Sequence, residues 1–240
     1  MDTIYRLEHR VGYFQVDPDN QIHLSSLFKL LQEAAIHHAT QGKIGTQIMQ
    51  EKGESWILNR VVMQLDRYPK YDEVLTILTW ATQMKHFKGF REFRIFSGDE
   101  LLGKVSTLWL YINLKEKSIA RLPVEAAKHF PIRPEDIYFD ELDRLRLPKP
   151  GPDAQASEVT TRYSDIDGNQ HVNNAAYMDF LQSALHHQHL DTRPKQLQIQ
   201  FSKEISPDIT TISIRLDSTE SEYCFGIGNE DSFAAIGTLS

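Results

Sequence analysis

The chain has 240 residues, 40% hydrophobic and 25% charged, which is ordinary globular composition with length for one large domain or two small ones. Its formal net charge of -7 disfavours nucleic acid, which needs a basic surface, while leaving room for a local basic patch. The single cysteine, Cys224, excludes an intrachain disulfide and any zinc site built on two thiolates.

The opening MDTIYRLEHR carries charges with no apolar run behind them, so neither a signal peptide nor a plastid-type transit segment is expected. The longest apolar runs, such as Val105 to Leu114, are interrupted by Ser and Thr and are too short for a bilayer. A cytoplasmic protein without membrane insertion is expected.

Tyr5 to Val16 reads as a strand. Ser25 to His38 reads as a helix that Ser25 or Ser26 can cap, with Leu27, Leu30, Leu31, Ala34 and Ala35 on one face. Trp56 to Tyr68, Val74 to Met84, Phe90 to Phe96 and Leu101 to Leu114 are extended. They are broken at Tyr68-Pro69, Lys88-Gly89 and Ser97-Gly98. From Pro123 to Pro152 the chain holds six prolines and no sustained periodicity, which reads as a crossover between units.

The second half repeats the first. Glu158 to Tyr163 is a strand and Asn174 to His187 a helix. Gln196 to Phe201, Thr211 to Leu216, Glu222 to Phe225 and Phe233 to Leu239 are strands. Leu30-Leu-Gln-Glu-Ala matches Phe180-Leu-Gln-Ser-Ala at an offset of 150 residues, which suggests duplication of one strand–helix–sheet unit. Cys224 lies in the alternating Tyr223-Cys-Phe-Gly-Ile-Gly and reads as a small buried residue, not a nucleophile. Periodicity alone gives an α+β chain of two units.

The densest polar segment, Tyr163-Ser-Asp-Ile-Asp-Gly-Asn-Gln-His-Val-Asn-Asn, runs straight into the second helix. Turn and cap preferences account for Gly168, Asn173 and Asn174. They account less well for Asp167, Asn169 and His171 at a spacing of two. A helix N-terminus offers free N–H donors to a developing oxyanion, and a carboxylate and an imidazole beside it supply acid–base or nucleophilic groups. At the same offset Gln21 stands where the second unit has His171, so the first unit is expected to keep the scaffold without the chemistry. His37-His38, His186-His187 and His189 close their helices and read as dipole partners, because helical neighbours point about 100° apart and hold a metal poorly.

Asn169-Gln-His-Val-Asn-Asn, with Asp167 before it and Tyr177 after it, resembles the active-site motif of acyl-acyl-carrier-protein (acyl-ACP) thioesterases of bacterial type. Trp56-Ile-Leu-Asn-Arg-Val-Val-Met-Gln-Leu-Asp-Arg-Tyr-Pro resembles the second strand of that family's first hotdog unit. Thr107-Leu-Trp-Leu-Tyr-Ile-Asn-Leu with Arg121-Leu-Pro-Val-Glu resembles its last strand and exit. Gln200-Phe-Ser-Lys-Glu resembles the strand that carries the distal glutamate.

The resemblance implies a tandem (double) hotdog, with two antiparallel sheets each wrapping one long helix. It implies a first hotdog domain over residues 1–135 that binds the acyl chain and has no catalytic residues, a Pro-rich linker over 136–155, and a catalytic second hotdog over 156–240. The implied catalytic set is Asp167, Asn169, His171 and Glu204, with no cofactor and no metal. The implied reaction is hydrolysis of a fatty acyl-ACP thioester to free fatty acid and ACP, ending chain elongation. Its partner is acyl carrier protein carrying a fatty acyl chain, and a homodimer is left open. Some family members have cysteine after the glutamate; here Ile205 stands there, which favours carboxylate chemistry over a thiol. An acyl-CoA thioesterase on the same fold is the alternative, and a non-catalytic acyl-thioester binder a weaker one. Lys85, Lys88 and Arg91 gather at a turn as a candidate contact for the acidic carrier. Leu30, Leu31, Ala34 and Ala35, with Trp56, Leu58, Val61 and Trp109, form the expected pool for an acyl pocket.

Overall fold

Alternating burial marks the strands at Tyr5–Arg10, Gln196–Phe201 and Thr211–Ser218, whereas the long strands at Glu54–Leu65, Lys88–Ser97 and Glu100–Asn113 bury side chains on both faces. A computed structural model describes residues 3–42, 44–123, 130–218, 222–229 and 232–240. The first unit holds β1 (Tyr5–Arg10), helix α1 (Leu24–Gln41), a short helix α2 (Thr46–Glu51), β2 (Glu54–Leu65), β3 (Val74–Lys85), β4 (Lys88–Ser97), β5 (Glu100–Asn113) and a two-residue β6 (Ser118–Ile119). The second holds β7 (Gln155–Thr160), helix α3 (Ala176–His187), β8 (Gln196–Phe201), β9 (Thr211–Ser218), β10 (Tyr223–Asn229) and β11 (Ser232–Leu239).

The strand order is β1-β3-β4-β5-β2-β8-β11-β10-β9-β7, with β6 beside β5. Each unit has the same order, and the two meet back to back. The expected sheets are therefore joined: β2 and β8 pair antiparallel, with Arg60 opposite Gln200 and Gln64 opposite Gln196. The double hotdog keeps its α+β character and gains one continuous sheet.

Both helices lie in the hollow of that sheet. Leu24, Leu27, Leu31 and Ala34 of α1, spaced three and four apart, are buried, as are Tyr177, Phe180, Leu181 and Ala184 of α3. They share one core with Val61, Ile77, Phe93, Ile199, Ile214 and Phe225 of the sheet. Burying a Leu or Phe side chain contributes about 1.5–3 kcal/mol each, so this shared core ties the two units together.

Several boundaries differ from the sequence expectations. β1 stops at Arg10, and Tyr13–Gln15 form a 3-10 turn in which Tyr13 and Phe14 face solvent. Aromatic residues there imitate strand propensity. Neither Ser25 nor Ser26 caps α1. Its N-cap is His23 and Ser25 is buried inside the helix. Instead, the Leu24 N–H donates to Gln182 Oε1 of α3 at 2.9 Å. The second helix begins at Ala176, not Asn174, after a turn. Lys88-Gly89 lies within β4, and the turn falls at His86, whose φ is +58°. α2 was not anticipated.

The Pro-rich stretch is fastened to the outer face of the first unit's sheet, and residues 124–129 of it lie outside the described residues. Buried Arg94 bonds Asp136 Oδ1 at 2.8 Å, and Glu92 Oε2 accepts the Tyr138 N–H at 3.1 Å. Leu142 packs on Val62 and Leu108. Among the described residues, no helix is long and apolar enough to cross a membrane.

Candidate active site

The duplication can be followed bond by bond. Tyr13–Gln15 and Tyr163–Asp165 are both 3-10 turns. The Asp17 N–H donates to Gln21 O at 2.8 Å, and the Asp167 N–H to His171 O at 3.0 Å. Val16 bridges Ile22, and Ile166 bridges Val172. Asn20 and Gln170 both take left-handed backbone, at φ +59° and +61°. The loop before each helix is thus one scaffold folded twice, and its strain at Gln170 belongs to the scaffold.

That scaffold explains part of the polar pattern. Asp167 Oδ1 accepts the Asn169 N–H at 2.9 Å, as Asp17 Oδ1 accepts the Asp19 N–H at 2.9 Å. Asp165 is buried, takes the Arg162 N–H at 2.8 Å and pairs with the Arg162 guanidinium at 2.9 Å. Gln15 does the same for Gly12 at 2.9 Å. Asp165 is therefore a structural carboxylate. Asn173 turns the chain into the second helix, whose N-cap is Ala175: the Asn173 Oδ1 takes the Ala175 N–H and its carbonyl the Ala176 N–H, both at 2.8 Å.

What the scaffold leaves over is His171 and Glu204. His171 Nε2 lies 3.1 Å from Glu204 Oε2. Sequence separates them by a helix and a strand. They meet because the Val172 N–H donates to Ile205 O at 3.1 Å, which lays one residue pair against the other. Asp167 shares the loop, with Asn173 Nδ2 at 3.4 Å from its Oδ2. Asn169 is held from the other unit: Gln50 Nε2 of α2 donates to its Oδ1 at 3.0 Å. The four expected residues thus fall on one loop and the strand exit beside it. Gln50 was missed with α2, whose six residues carry no clear period.

The first unit's copy of this loop is spent otherwise. Gln21 replaces the imidazole. Arg193 of the second unit reaches across to Asp17 at 3.3 Å and Asp19 at 2.8 Å, so both carboxylates are occupied in ion pairs.

Below the site, Tyr177 is 1% exposed, and burial, helped by the Glu204 charge, holds its phenol well above the usual range. It stays neutral, with its hydroxyl 3.5 Å from Lys203 O. Cys224 is buried in β10, opposite Asp217 of β9 and far along the sheet from the loop. Burial first and the Asp217 charge second push its thiol up, which suppresses the nucleophilic thiolate. Among the described residues, no group of three His, Cys, Asp or Glu side chains is placed to hold a metal ion.

Two other expectations need correction. Arg91 is not part of a surface patch: it is buried, bonds Thr79 Oγ1 at 3.1 Å and sits 3.0 Å from His38 Nδ1, and burial pulls its guanidinium down to about 10. Lys88 is drawn to Asp143 at 3.6 Å, which leaves only Lys85 of the three exposed and without an ion pair among the described residues. In the first unit a small cavity lies between α1 and the sheet, walled by Leu31, Leu58, Val61, Phe93, Val105 and Trp109. Ala34 and Ala35 do not line it, and Trp56 packs in a separate cluster with Tyr111.

Known proteins resemble this chain in both halves. Residues 2–130 match the family model of the acyl-ACP thioesterase N-terminal domain, and residues 149–233 that of the C-terminal domain. An acyl-[acyl-carrier-protein] hydrolase of Cuphea viscosissima is 22% identical over 84% of this chain, which spans 52% of that protein's length. An oleoyl-acyl carrier protein thioesterase of Arabidopsis thaliana is 24% identical over 98% of this chain and 68% of its own. The crystal structure of an acyl-ACP thioesterase from Bacteroides thetaiotaomicron superposes with a TM-score of 0.86 at 20% identity, over 99% of this chain and 97% of that one. A 12:0-ACP thioesterase from Umbellularia californica gives 0.85 at 18% identity, over 100% and 97%. At such identities the two structures establish the fold. With family models matched in order across both halves, the chain belongs to the acyl-ACP thioesterase family.

Proposed function

We propose that this chain hydrolyses fatty acyl thioesters of acyl carrier protein to free fatty acid and ACP, ending chain elongation. The His171–Glu204 pair at 3.1 Å carries the reading, because it is what the second unit has and the matching loop of the first lacks. Family membership and the relatives' names support the substrate class.

In the proposed reaction the acyl carbonyl lies at the loop ahead of α3. A water oxygen adds to the acyl carbon, the C–S bond breaks, and the departing sulfur takes a proton to leave as the carrier's thiol. Glu204 or Asp167 removes the proton of that water. The other route has one of these carboxylates attack the carbon, giving a mixed anhydride that water then opens. His171, paired to Glu204, orients that carboxylate and passes the proton to sulfur, while Asn169 is fixed by Gln50. No cofactor enters either route.

The division of labour expected from the sequence is part of the proposal. Residues 1–135 hold the acyl chain, 136–155 connect, and 156–240 carry the chemistry. The apolar cavity under α1 supports it. Seating a chain there requires its walls to part, since the cavity has a volume of only about 10 Å³, room for roughly one water. Each CH₂ buried contributes about 0.8 kcal/mol toward that opening. A cytoplasmic place of work belongs to the same reading.

The test is a panel of acyl-ACP and acyl-CoA substrates of matched chain length. Higher kcat/KM on the ACP series supports the reading. Equal or higher values on CoA would move it to the acyl-CoA thioesterases, and hydrolysis of neither would end it.

A further inference from the structure

We propose that the side-chain amide of Gln32, on the first unit's helix, is a catalytic hydrogen-bond donor to the thioester carbonyl at the second unit's site. The inference rests on the acyl-thioesterase reading above and adds to it a residue from the unit that carries none of the expected set.

Gln32 and Gln182 are mates in the repeat, each the glutamine of its helix's Leu-Gln pair. Gln182 uses both ends of its amide. Its Oε1 accepts the Leu24 N–H at 2.9 Å and its Nε2 donates to Thr192 O at 2.9 Å. Gln182 thereby closes the N-terminus of the opposite helix. The residue matching Leu24 in the second unit is Asn174, at the front of α3, directly behind the Asp167–Asn173 loop. The repeat therefore sets Gln32 across from the start of the catalytic unit's helix. Among the described residues Gln32 makes neither of the two matching bonds, and its Nε2, the counterpart of the atom that Gln182 spends on Thr192 O, is buried without a hydrogen-bond partner.

A second observation places the same residue beside the cavity proposed for the acyl chain. Gln32 lines the first-unit cavity beside Thr107 and Trp109. The polar groups of those two neighbours are already spent, because Trp109 Nε1 donates to Thr107 Oγ1 at 3.0 Å and Thr107 Oγ1 donates to Arg91 O at 3.1 Å. The cavity's own surface is apolar, so Gln32 borders it through its CH₂ groups, while its Nε2 stays buried without a partner among the described residues. In the proposed pose, a tail leaving that cavity for the polar loop carries its carbonyl past this amide. A buried N–H without an acceptor is costly, and a carbonyl oxygen satisfies it.

The chemistry uses the donor more as the reaction proceeds. When oxygen adds to the acyl carbon, the carbonyl π pair moves onto the carbonyl oxygen. The Gln32 N–H bonds that oxyanion more strongly than it bonds the neutral carbonyl. The pair returns as the C–S bond breaks, and the sulfur leaves with a proton. A donor of this kind acts mainly on kcat.

The experiment compares Gln32→Met and Gln32→Leu with Gln182→Met, on a purified acyl-ACP that the wild type hydrolyses. Both Gln32 variants should lose about 10²-fold in kcat with KM within about three-fold. Their melting temperature should hold or rise, because no bond is lost and an unpaired donor is removed. Gln182→Met should do the opposite, lowering the melting temperature and keeping kcat. Wild-type kcat in either Gln32 variant would overturn the inference, as would a drop in melting temperature matching that of Gln182→Met. A wild type inactive on every thioester is a separate outcome: it ends the functional reading and this inference with it.

Discussion

The imidazole of His171 precedes the second helix and the carboxylate of Glu204 follows the strand after it, yet the two stand 3.1 Å apart. Their side chains are 33% and 52% exposed, so as an ion pair they add at most about 1 kcal/mol to stability. Glu204→Ala should therefore leave the melting temperature nearly unchanged. It should cost about 10²-fold in kcat on acyl-ACP, on the order of 3 kcal/mol of barrier. Adding His171→Ala should cost little more, since paired groups act as a unit. Losses that multiply would show that the two residues act independently.

Asp165 and Asp167 sit two residues apart and should separate cleanly. Asp165 is buried and holds Arg162, so Asp165→Ala should cost about 1–3 kcal/mol. In a chain this long that is a melting shift of about 2–4 °C per kcal/mol. Asp167→Asn keeps the oxygen that accepts the Asn169 N–H and removes the charge. It should melt normally and turn over about 10²-fold more slowly. Equal melting losses in both would make Asp167 a turn residue only.

Cys224→Ala should retain full activity. The raised thiol should also make alkylation of the folded protein slow at pH 8, with the rate climbing as pH approaches the displaced thiol value. An inactive, well-folded Cys224→Ala would contradict the carboxylate mechanism.

Val61 gives the sharpest test of where the tail lies. It is 1% exposed and walls the first-unit cavity. Val61→Phe should shift the chain-length profile toward shorter acyl groups, with the shortest substrate nearly untouched. Overpacking alone would cost about 1–3 kcal/mol of stability and leave the profile as it was. Profile and melting, measured together on the same variant, separate the two.

Much of this was legible in the sequence because its signals are local. The Leu27-to-Ala35 face predicted α1's buried side, and the 150-residue offset predicted two loops that the structure matches bond for bond. Tertiary capping was not legible: α1 is closed by Gln182 from the other unit, so the serines at its start looked like caps. Arg91 read as a surface charge because burial against Thr79 depends on the strand face, which a β-bulge near Ala81 locally alters. Gln50 sits on a helix too short to show a period, and its contact with Asn169 crosses 119 residues. The role of Asp165 emerges only beside its mate Gln15, where a different side chain makes the same bond.

The central claim is that two copies of one loop differ by their chemistry, and that the second copy hydrolyses the thioester. His171→Gln tests it most directly, because it writes the first unit's Gln21 into the matching backbone position of the second unit. Free fatty acid released from acyl-ACP should be measured for the wild type and this variant beside their melting curves. The wild type should release fatty acid readily, and the variant about 10²-fold more slowly while melting at the same temperature. Near-equal release by the two proteins would contradict it.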